Sequence, residues 1–294
     1  MRPLLSLVLL ATAASASAQP GWRTVPADGP VVSLDVLKLL GADQQIITDD
    51  QGNVLGDGGP GLLESAQILA VRVPLGPVFS VVADLPTAYA SYSVSGGLDD
   101  EFSYREFGVG NPYLGAEAAV RPDAVVEGGV RLPLGSQALD GPGVTARYAG
   151  FTTLFEAPEA YLEGTFTASL GGRFEPALSP ALRLRLRAVP GVAAFSYRLL
   201  DAGDGEAPGE VSDVYYFLQY GTQLVGLVGP TEVSGGVIGQ AHTWRRAEPA
   251  ALVLSVAARD LPVRPGLSVR VPFEDYSFSG ADAVVGFSLD VPLR

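Results

Sequence analysis

Apolar and polar residues alternate along this chain with a period of two. From Leu162 to Phe174, one set contains Leu162, Gly164, Phe166, Ala168, Leu170, Gly172 and Phe174; the other contains Glu163, Thr165, Thr167, Ser169, Gly171 and Arg173. Period two places alternate side chains on opposite faces of a strand. The pattern recurs: Leu182, Leu184 and Leu186 alternate with Arg183, Arg185 and Arg187. Val214, Tyr216, Leu218 and Tyr220 oppose Asp213, Gln219 and Gln223; Leu252, Leu254 and Val256 oppose Ser255 and Arg259. Leu267, Val269, Val271 and Phe273 oppose Ser268 and Arg270, and Val285 to Leu293 oppose Gly286, Ser288 and Asp290. Further strands are predicted over Val31–Leu40, Leu63–Leu75, Val78–Tyr92, Tyr113–Arg121, Val125–Leu134 and Val233–Thr243. The expectation is about twelve strands, with 10 or 14 as alternatives, since bacterial single-chain barrels prefer even numbers.

The links between strands alternate in length. Gly76-Pro77, Arg121-Pro122-Asp123 and Gly229-Pro230 read as tight turns, and Glu175–Pro180 and Asp260–Gly266 are compact. Gly41–Gly61, Gly96–Gly110, Gly135–Ala160 and Asp201–Asp213 read as long loops, with shorter ones at Trp244–Pro249 and Glu274–Asp282. Acids crowd the long loops (Asp43, Asp49, Asp50 and Asp57; Asp99, Asp100, Glu101 and Glu106; Asp201, Asp204, Glu206 and Glu210) and are almost absent from the apolar faces. Short turns on one side, long loops on the other and a lipid face without charge are the marks of an outer-membrane barrel. The fold class expected is therefore all-β: a single antiparallel transmembrane barrel. Tyr89, Tyr92, Tyr113, Tyr161, Phe174, Phe195, Tyr197, Trp244 and Phe273, near strand ends, are candidates for interfacial girdles, with ordinary core aromatics as the alternative.

Two local departures stand out. The apolar phase flips between Leu186 and Phe195, across Pro190-Gly191, which predicts a β-bulge. Val144, Arg147, Tyr148, Phe151, Leu154 and Phe155 follow helical spacing, which predicts one short amphipathic helix in a loop, on the rim or folded into the lumen.

Composition narrows the picture further. The 36 glycines and 23 prolines oppose long helices, and 47% apolar residues oppose disorder. Met1-Arg2, the apolar run Leu4–Ala11 and the small residues Ala14–Ala18 read as a signal peptide over 1–18, cut after Ala18, leaving 19–294 as the barrel. There is no cysteine, hence no disulfide. A formal net charge of −13 disfavours nucleic acid. The partners expected are outer-membrane lipid and a small solute, and no cofactor is implied.

Gly108-Val109-Gly110-Asn111-Pro112-Tyr113-Leu114-Gly115-Ala116 resembles a loop-to-strand signature of the outer-membrane family labelled "meta-pathway of phenol degradation". Gly129-Val130-Arg131-Leu132-Pro133-Leu134-Gly135 and Val71-Arg72-Val73-Pro74-Leu75 are similar to it as well, so the resemblance spans roughly Val71 to Gly135. It implies a barrel that takes up hydrophobic or aromatic solutes. Asn111 departs from that pattern, standing where an acid is expected, and so does the C-terminus, Leu293-Arg294, where many such proteins end in an aromatic residue.

Candidate chemistry concentrates in the charges on strand faces. Arg183, Arg185 and Arg187, with Arg131, Arg173, Arg259 and Arg270 on other strands, would form a cationic constriction if they line the lumen. Acids including Glu117, Glu127, Glu163 and Asp290 would instead pair with them, the favoured alternative because unpaired buried charge is costly. The single histidine, His242, has Ser234 on its face but far along the strand, so no nucleophile–base pair is read and the chain is expected not to be an enzyme. Asp49-Asp50-Gln51-Gly52-Asn53 lacks the closing glutamate of a calcium loop, and no metal site is expected. The reading is an outer-membrane pore or transporter for small solutes. Its alternatives are a non-conducting barrel, an exported soluble β protein and a barrel enzyme.

Overall fold

A computed structural model describes residues 29–40, 46–48, 54–57, 63–96, 100–133, 157–162, 164–198, 210–243, 250–273 and 283–293. The strands are β1 (Val31–Leu40), β2 (Ile46–Thr48), β3 (Val54–Asp57), β4 (Leu63–Pro74), β5 (Phe79–Gly96), β6 (Asp100–Val109), β7 (Tyr113–Arg121) and β8 (Ala124–Arg131). They continue as β9 (Thr165–Phe174), β10 (Ala177–Ser179), β11 (Leu182–Arg198), β12 (Glu210–Val228), β13 (Thr231–His242), β14 (Ala250–Ala258), β15 (Arg264–Pro272) and β16 (Ala283–Pro292). Neighbours in the wall pair antiparallel, and β1 pairs with both β4 and β16, which closes the sheet on itself. The result is a closed barrel of twelve strands with two extra strands, β6 and β10, and a separate β2–β3 hairpin. Closure joins the two ends of the wall sheet, as a bilayer requires.

Each strand's alternation decides which face it shows. On β14, Leu252 and Leu254 point outward, 40% and 56% exposed, while Ala251 and Val253 are buried. Leu69, Leu114, Leu170, Leu224 and Val269 extend the same exposed apolar surface around the wall. Contiguous apolar surface on this scale is incompatible with water and fits a lipid contact. Exposed aromatics mark both ends of it: Phe79 and Phe174 beside the short turns, Phe107, Tyr216 and Phe273 towards the long loops. Gly229, at φ +59°, makes the tight Gly229-Pro230 turn, a conformation that disfavours a side chain.

The expected strand set matches the wall, and the departures are local. The stretch Gly96–Gly110 contains β6 rather than only loop. β6 pairs with the distal part of β5, while β7 pairs with its proximal part, so the two form one wall position broken at Gly110–Pro112. Thr87 faces Val109 and Asp84 faces Tyr113, so three residues of the broken strand oppose two of β5. Pro86 lies at that point and has no N–H to offer the ladder. The acids at 99–101 made the stretch look solvated; a strand that runs on past the bilayer tolerates them.

The bulge expected at Pro190-Gly191 is absent. β11 keeps a single register with β12 from Leu182 to Arg198. The alternation never flips; what changes is the chemistry of the lumen face, from Arg187 to Val189, Ala193 and Phe195. Pro190 is accommodated in the other ladder, where pairing with β9 is interrupted at Val189 and Pro190 and resumes in the same register at Gly191. The helix expected around Val144–Phe155 falls outside the described residues. The described end of that loop, 157–162, holds only one turn of 3-10 helix at Pro158–Ala160, and no α-helix occurs among the described residues.

Candidate functional site

The lumen has two chemically distinct halves. Near the short turns it is ionic. The odd-numbered positions of β11 point inward, so Arg183, Arg185 and Arg187 form a vertical row, and acids from neighbouring strands meet them. Arg187 pairs with Glu127 on β8 at 2.6 Å and donates to Gln219 at 3.3 Å. Arg185, 2% exposed, pairs with Glu175 at 3.0 Å and Glu232 at 2.8 Å and donates to Gln223 at 3.0 Å. Arg183 shares Glu175 at 3.3 Å. Across the barrel Arg72 on β4 meets Glu117 on β7 at 2.6 Å, with Arg173 on β9 3.9 Å from the same carboxylate. Arg131 grips Asp84 with both nitrogens of its fork, at 2.9 and 3.3 Å. The arginine row is therefore embedded in carboxylates, and the pairing alternative describes it. Buried charges of one sign alone would be too costly to keep, whereas interleaved pairs with satisfied forks are tolerated.

Of the other expected lumen residues, Arg270 is buried on the inner face of β15, and Asp290 faces inward from β16. Arg259 lies half-buried beside the β14–β15 turn. Glu163 lies outside the described residues. Arg72, Asp84, Glu175 and Glu232 had not been singled out. The first two were open to the same period-two reading, since Arg72 stands between Val71 and Val73 and Asp84 between Ala83 and Leu85.

Towards the long loops the lumen turns apolar. Leu37, Ala66, Ile68, Ala88 and Ala90 line one side, and Ala193, Phe195, Tyr215 and Phe217 the other. The rings of Phe195 and Tyr215 lie 6.0 Å apart and those of Tyr215 and Phe217 6.5 Å, tilted as aromatic pairs prefer. Tyr113, Tyr161 and Phe195, expected as girdle residues, thus belong to the interior. Tyr113 lies over Gly115 and Gly129, its ring 5.5 Å from the Arg131 guanidinium.

A strap of chain, Ala157–Leu162, enters this apolar half. Its Ala157, Ala160 and Tyr161 pack on the alanine bed of β4 and β5, and the Tyr161 hydroxyl donates to the Thr87 carbonyl at 2.8 Å. The β6–β7 break holds it. The Asn111 N–H donates to the Ala160 carbonyl at 2.6 Å, and the Asn111 side-chain amide donates to the carbonyls of Glu159 and Leu162 at 3.0 and 2.6 Å. A carboxylate here would set acceptor against acceptor, which gives the departure at Asn111 a physical reason. Gly110 is required too, because a Cβ there would collide with the Ala160 carbonyl. Glu159 points into the lumen, where Gln240 on β13 donates to its carboxylate. Burial pushes the Glu159 carboxyl up to about 7, offset in part by its own backbone hydrogen bond, the Arg131 charge, and hydrogen bonds from Gln240 and Tyr215. Nothing in the strand alternation could reveal Glu159, which arrives from a loop.

Between strap and ionic belt lies a cavity of about 70 Å³. Ile68, Val82, Val189 and Phe217 give it apolar walls; Asp84–Arg131 and Glu127–Arg187 give it a polar floor. His242 is buried beside Tyr215, ring centroids 5.7 Å apart. Ser234, on the same strand face, hydrogen-bonds Ser255 at 2.6 Å. Among the described residues no cluster of side chains is arranged to hold a metal ion.

No family model matches the chain, and no curated protein matches it. Among solved structures it is similar to the COG4313 outer membrane channel from Pseudomonas putida F1, at 12% identity and a TM-score of 0.56, over 94% of this chain and all of that one. It is also similar to the Ralstonia pickettii toluene transporter TbuX (9% identity, 94% and 92% covered, TM-score 0.43) and to the CymD monoaromatic hydrocarbon channel (11%, 96% and 94%, 0.46). The first likeness covers nearly the whole of both chains and shows a shared fold, a closed antiparallel β-barrel.

Proposed function

We propose that the chain is an outer-membrane channel that admits small hydrophobic solutes, aromatic ones among them, into the loop-side half of its lumen. The observation that carries this is the division of the lumen: an apolar, aromatic-bearing chamber above a belt of ion pairs, inside a wall whose outer face suits lipid. A general water-filled pore would be polar throughout. The fold likeness to an outer-membrane channel supports the reading, as does the family resemblance around Asn111. In this reading the chain is exported by its N-terminal 18 residues and cut after Ala18, and the arginines act in the lumen as structure rather than as a catalytic group.

A specific observation favours a second reading, a non-conducting barrel: the strap occupies the loop-side half of the lumen and ion pairs cross the other half. Both are tested by reconstituting the mature protein in planar bilayers and in liposomes, beside an Arg183→Ala/Arg185→Ala/Arg187→Ala variant. A hydrophobic-solute channel gives small wild-type ion currents, larger in the variant, and faster liposome uptake of a small aromatic compound than of a sugar of equal size. Insertion without current or uptake in either protein decides for the second reading.

A further inference from the structure

We propose that the strap Ala157–Leu162 is a proton-operated plug, seated while the Glu159 carboxyl is protonated and released when it ionises. The inference rests on the channel reading for its consequence, solute access, but its core is a statement about the strap alone. The geometry carries it. The strap is docked by its backbone, through Asn111, and by small apolar side chains on an alanine bed, contacts that separate without breaking a strand. In the middle of that contact stands one carboxyl, that of Glu159, 2% exposed.

The surroundings of Glu159 do not stabilise a negative charge well. From β13 it faces Gln240, a neutral donor, with His242 beyond; from β12 it faces Tyr215. The cations nearby are already engaged: Arg131 of β8 by Asp84 of β5, Arg187 of β11 by Glu127 of β8. Glu117 and Tyr113 of β7, across the cavity, add no positive charge. An ionised Glu159 would therefore sit buried among neutral donors, with no ion pair to a cation among the described residues, and moving to water relieves the cost of its burial.

The sign follows. The seated strap holds the carboxyl near pH 7, whereas a withdrawn one returns to the ordinary carboxylate range. Seating is fully favoured below that ordinary range and weakens as pH rises towards 7, shifting the seated-to-withdrawn ratio by up to about a hundredfold.

The chain has no cysteine, so Ala160→Cys supplies a single thiol at a position with no exposure when the strap is seated. The refolded protein is labelled with a water-soluble maleimide from pH 5 to pH 8. Each rate is divided by that of Ala160→Cys/Glu159→Gln at the same pH, which removes the thiol's own titration. The expected ratio rises at least tenfold over that range, and single-channel open time in the unlabelled protein rises with it unless Glu159→Gln is present. Ala157→Cys serves as a second labelling position should Ala160→Cys fail to fold. A flat ratio overturns the plug. A rising ratio in a protein that passes neither current nor solute keeps the plug and removes the channel reading, so the two failures are distinct.

Discussion

Replacing Arg185 by alanine tests whether the ionic belt holds the barrel together or merely decorates it. The Arg185 guanidinium is 2% exposed and makes three contacts: Glu175 at 3.0 Å, Glu232 at 2.8 Å and Gln223 at 3.0 Å. Removing it leaves Glu175 with Arg183 at 3.3 Å, but strips Glu232, 12% exposed, of its ion pair. Losing one partner of a buried pair costs about 3–5 kcal/mol, because the other charge stays buried. The neighbour Arg183 is 29% exposed and makes one longer contact, so solvent screening holds the effect of Arg183→Ala to about 1 kcal/mol or less. The two variants delete the same side chain from the same strand face two residues apart, so their difference isolates burial. The assay is equilibrium unfolding in guanidinium of protein refolded into detergent micelles, with heat-modifiable gel mobility as a second probe. Adding Glu232→Gln and Glu175→Gln to an Arg185→Met variant should recover most of the loss, since a buried network replaced as a unit is close to neutral. Equal losses in Arg183→Ala and Arg185→Ala, or a loss below about 1 kcal/mol in the latter, would refute the reasoning.

Two further outcomes follow from the wall and the strap. Leu254→Arg places a charge on the outer face at the middle of β14 and should destabilise the bilayer-embedded protein by about 2–4 kcal/mol, whereas Leu261→Arg, in the turn, should cost about 0–1 kcal/mol; equal effects measured by unfolding in lipid would contradict the lipid-facing assignment. Asn111→Asp exchanges an amide that donates to two strap carbonyls for a group with no donor, and should raise maleimide labelling of Ala160→Cys severalfold at every pH; unchanged labelling would mean that Asn111 does not hold the strap.

The wall was legible because lipid and lumen impose opposite demands on adjacent residues. Leu254 beside Ser255, or Phe287 beside Ser288, carries the strand, its faces and its depth in two letters. The ionic belt was half legible: Arg183, Arg185 and Arg187 announce a polar face, but their partners lie at unrelated distances along the chain, Glu175 only 8 residues from Arg183 and Glu127 60 residues from Arg187. Reading went wrong where the lumen itself becomes apolar. Phe195 and Tyr113 are hydrophobic and inward, so a rule that sends apolar residues to lipid inverts them; the supposed phase flip at Pro190-Gly191 was that same inversion. The strap lay beyond the reach of periodicity, because its place is set by hydrogen bonds from Asn111 and by the shape of an alanine bed.

The distribution of small residues joins these features. Ala66, Ala70, Ala88 and Ala90 line β4 and β5 on the inner face, where a barrel of this size has room for larger side chains. Small residues on one arc leave space there, and the space holds the strap. Opposite it stand Phe195, Tyr215 and Phe217, which gain nothing from a small neighbour and present flat apolar surface to whatever lies between. Filling the alanine arc permanently, by Ala88→Leu, would seal the chamber and lock out both strap and solute; withdrawing the strap would leave an apolar slot faced by aromatic rings. The break at Gly110–Pro112 is then more than a defect in the ladder. It frees the Asn111 N–H for the strap, sets the Asn111 side-chain amide beside the same strap, and places both at the border between the ionic and apolar halves. A continuous strand would spend that N–H on its neighbour and leave the strap without it.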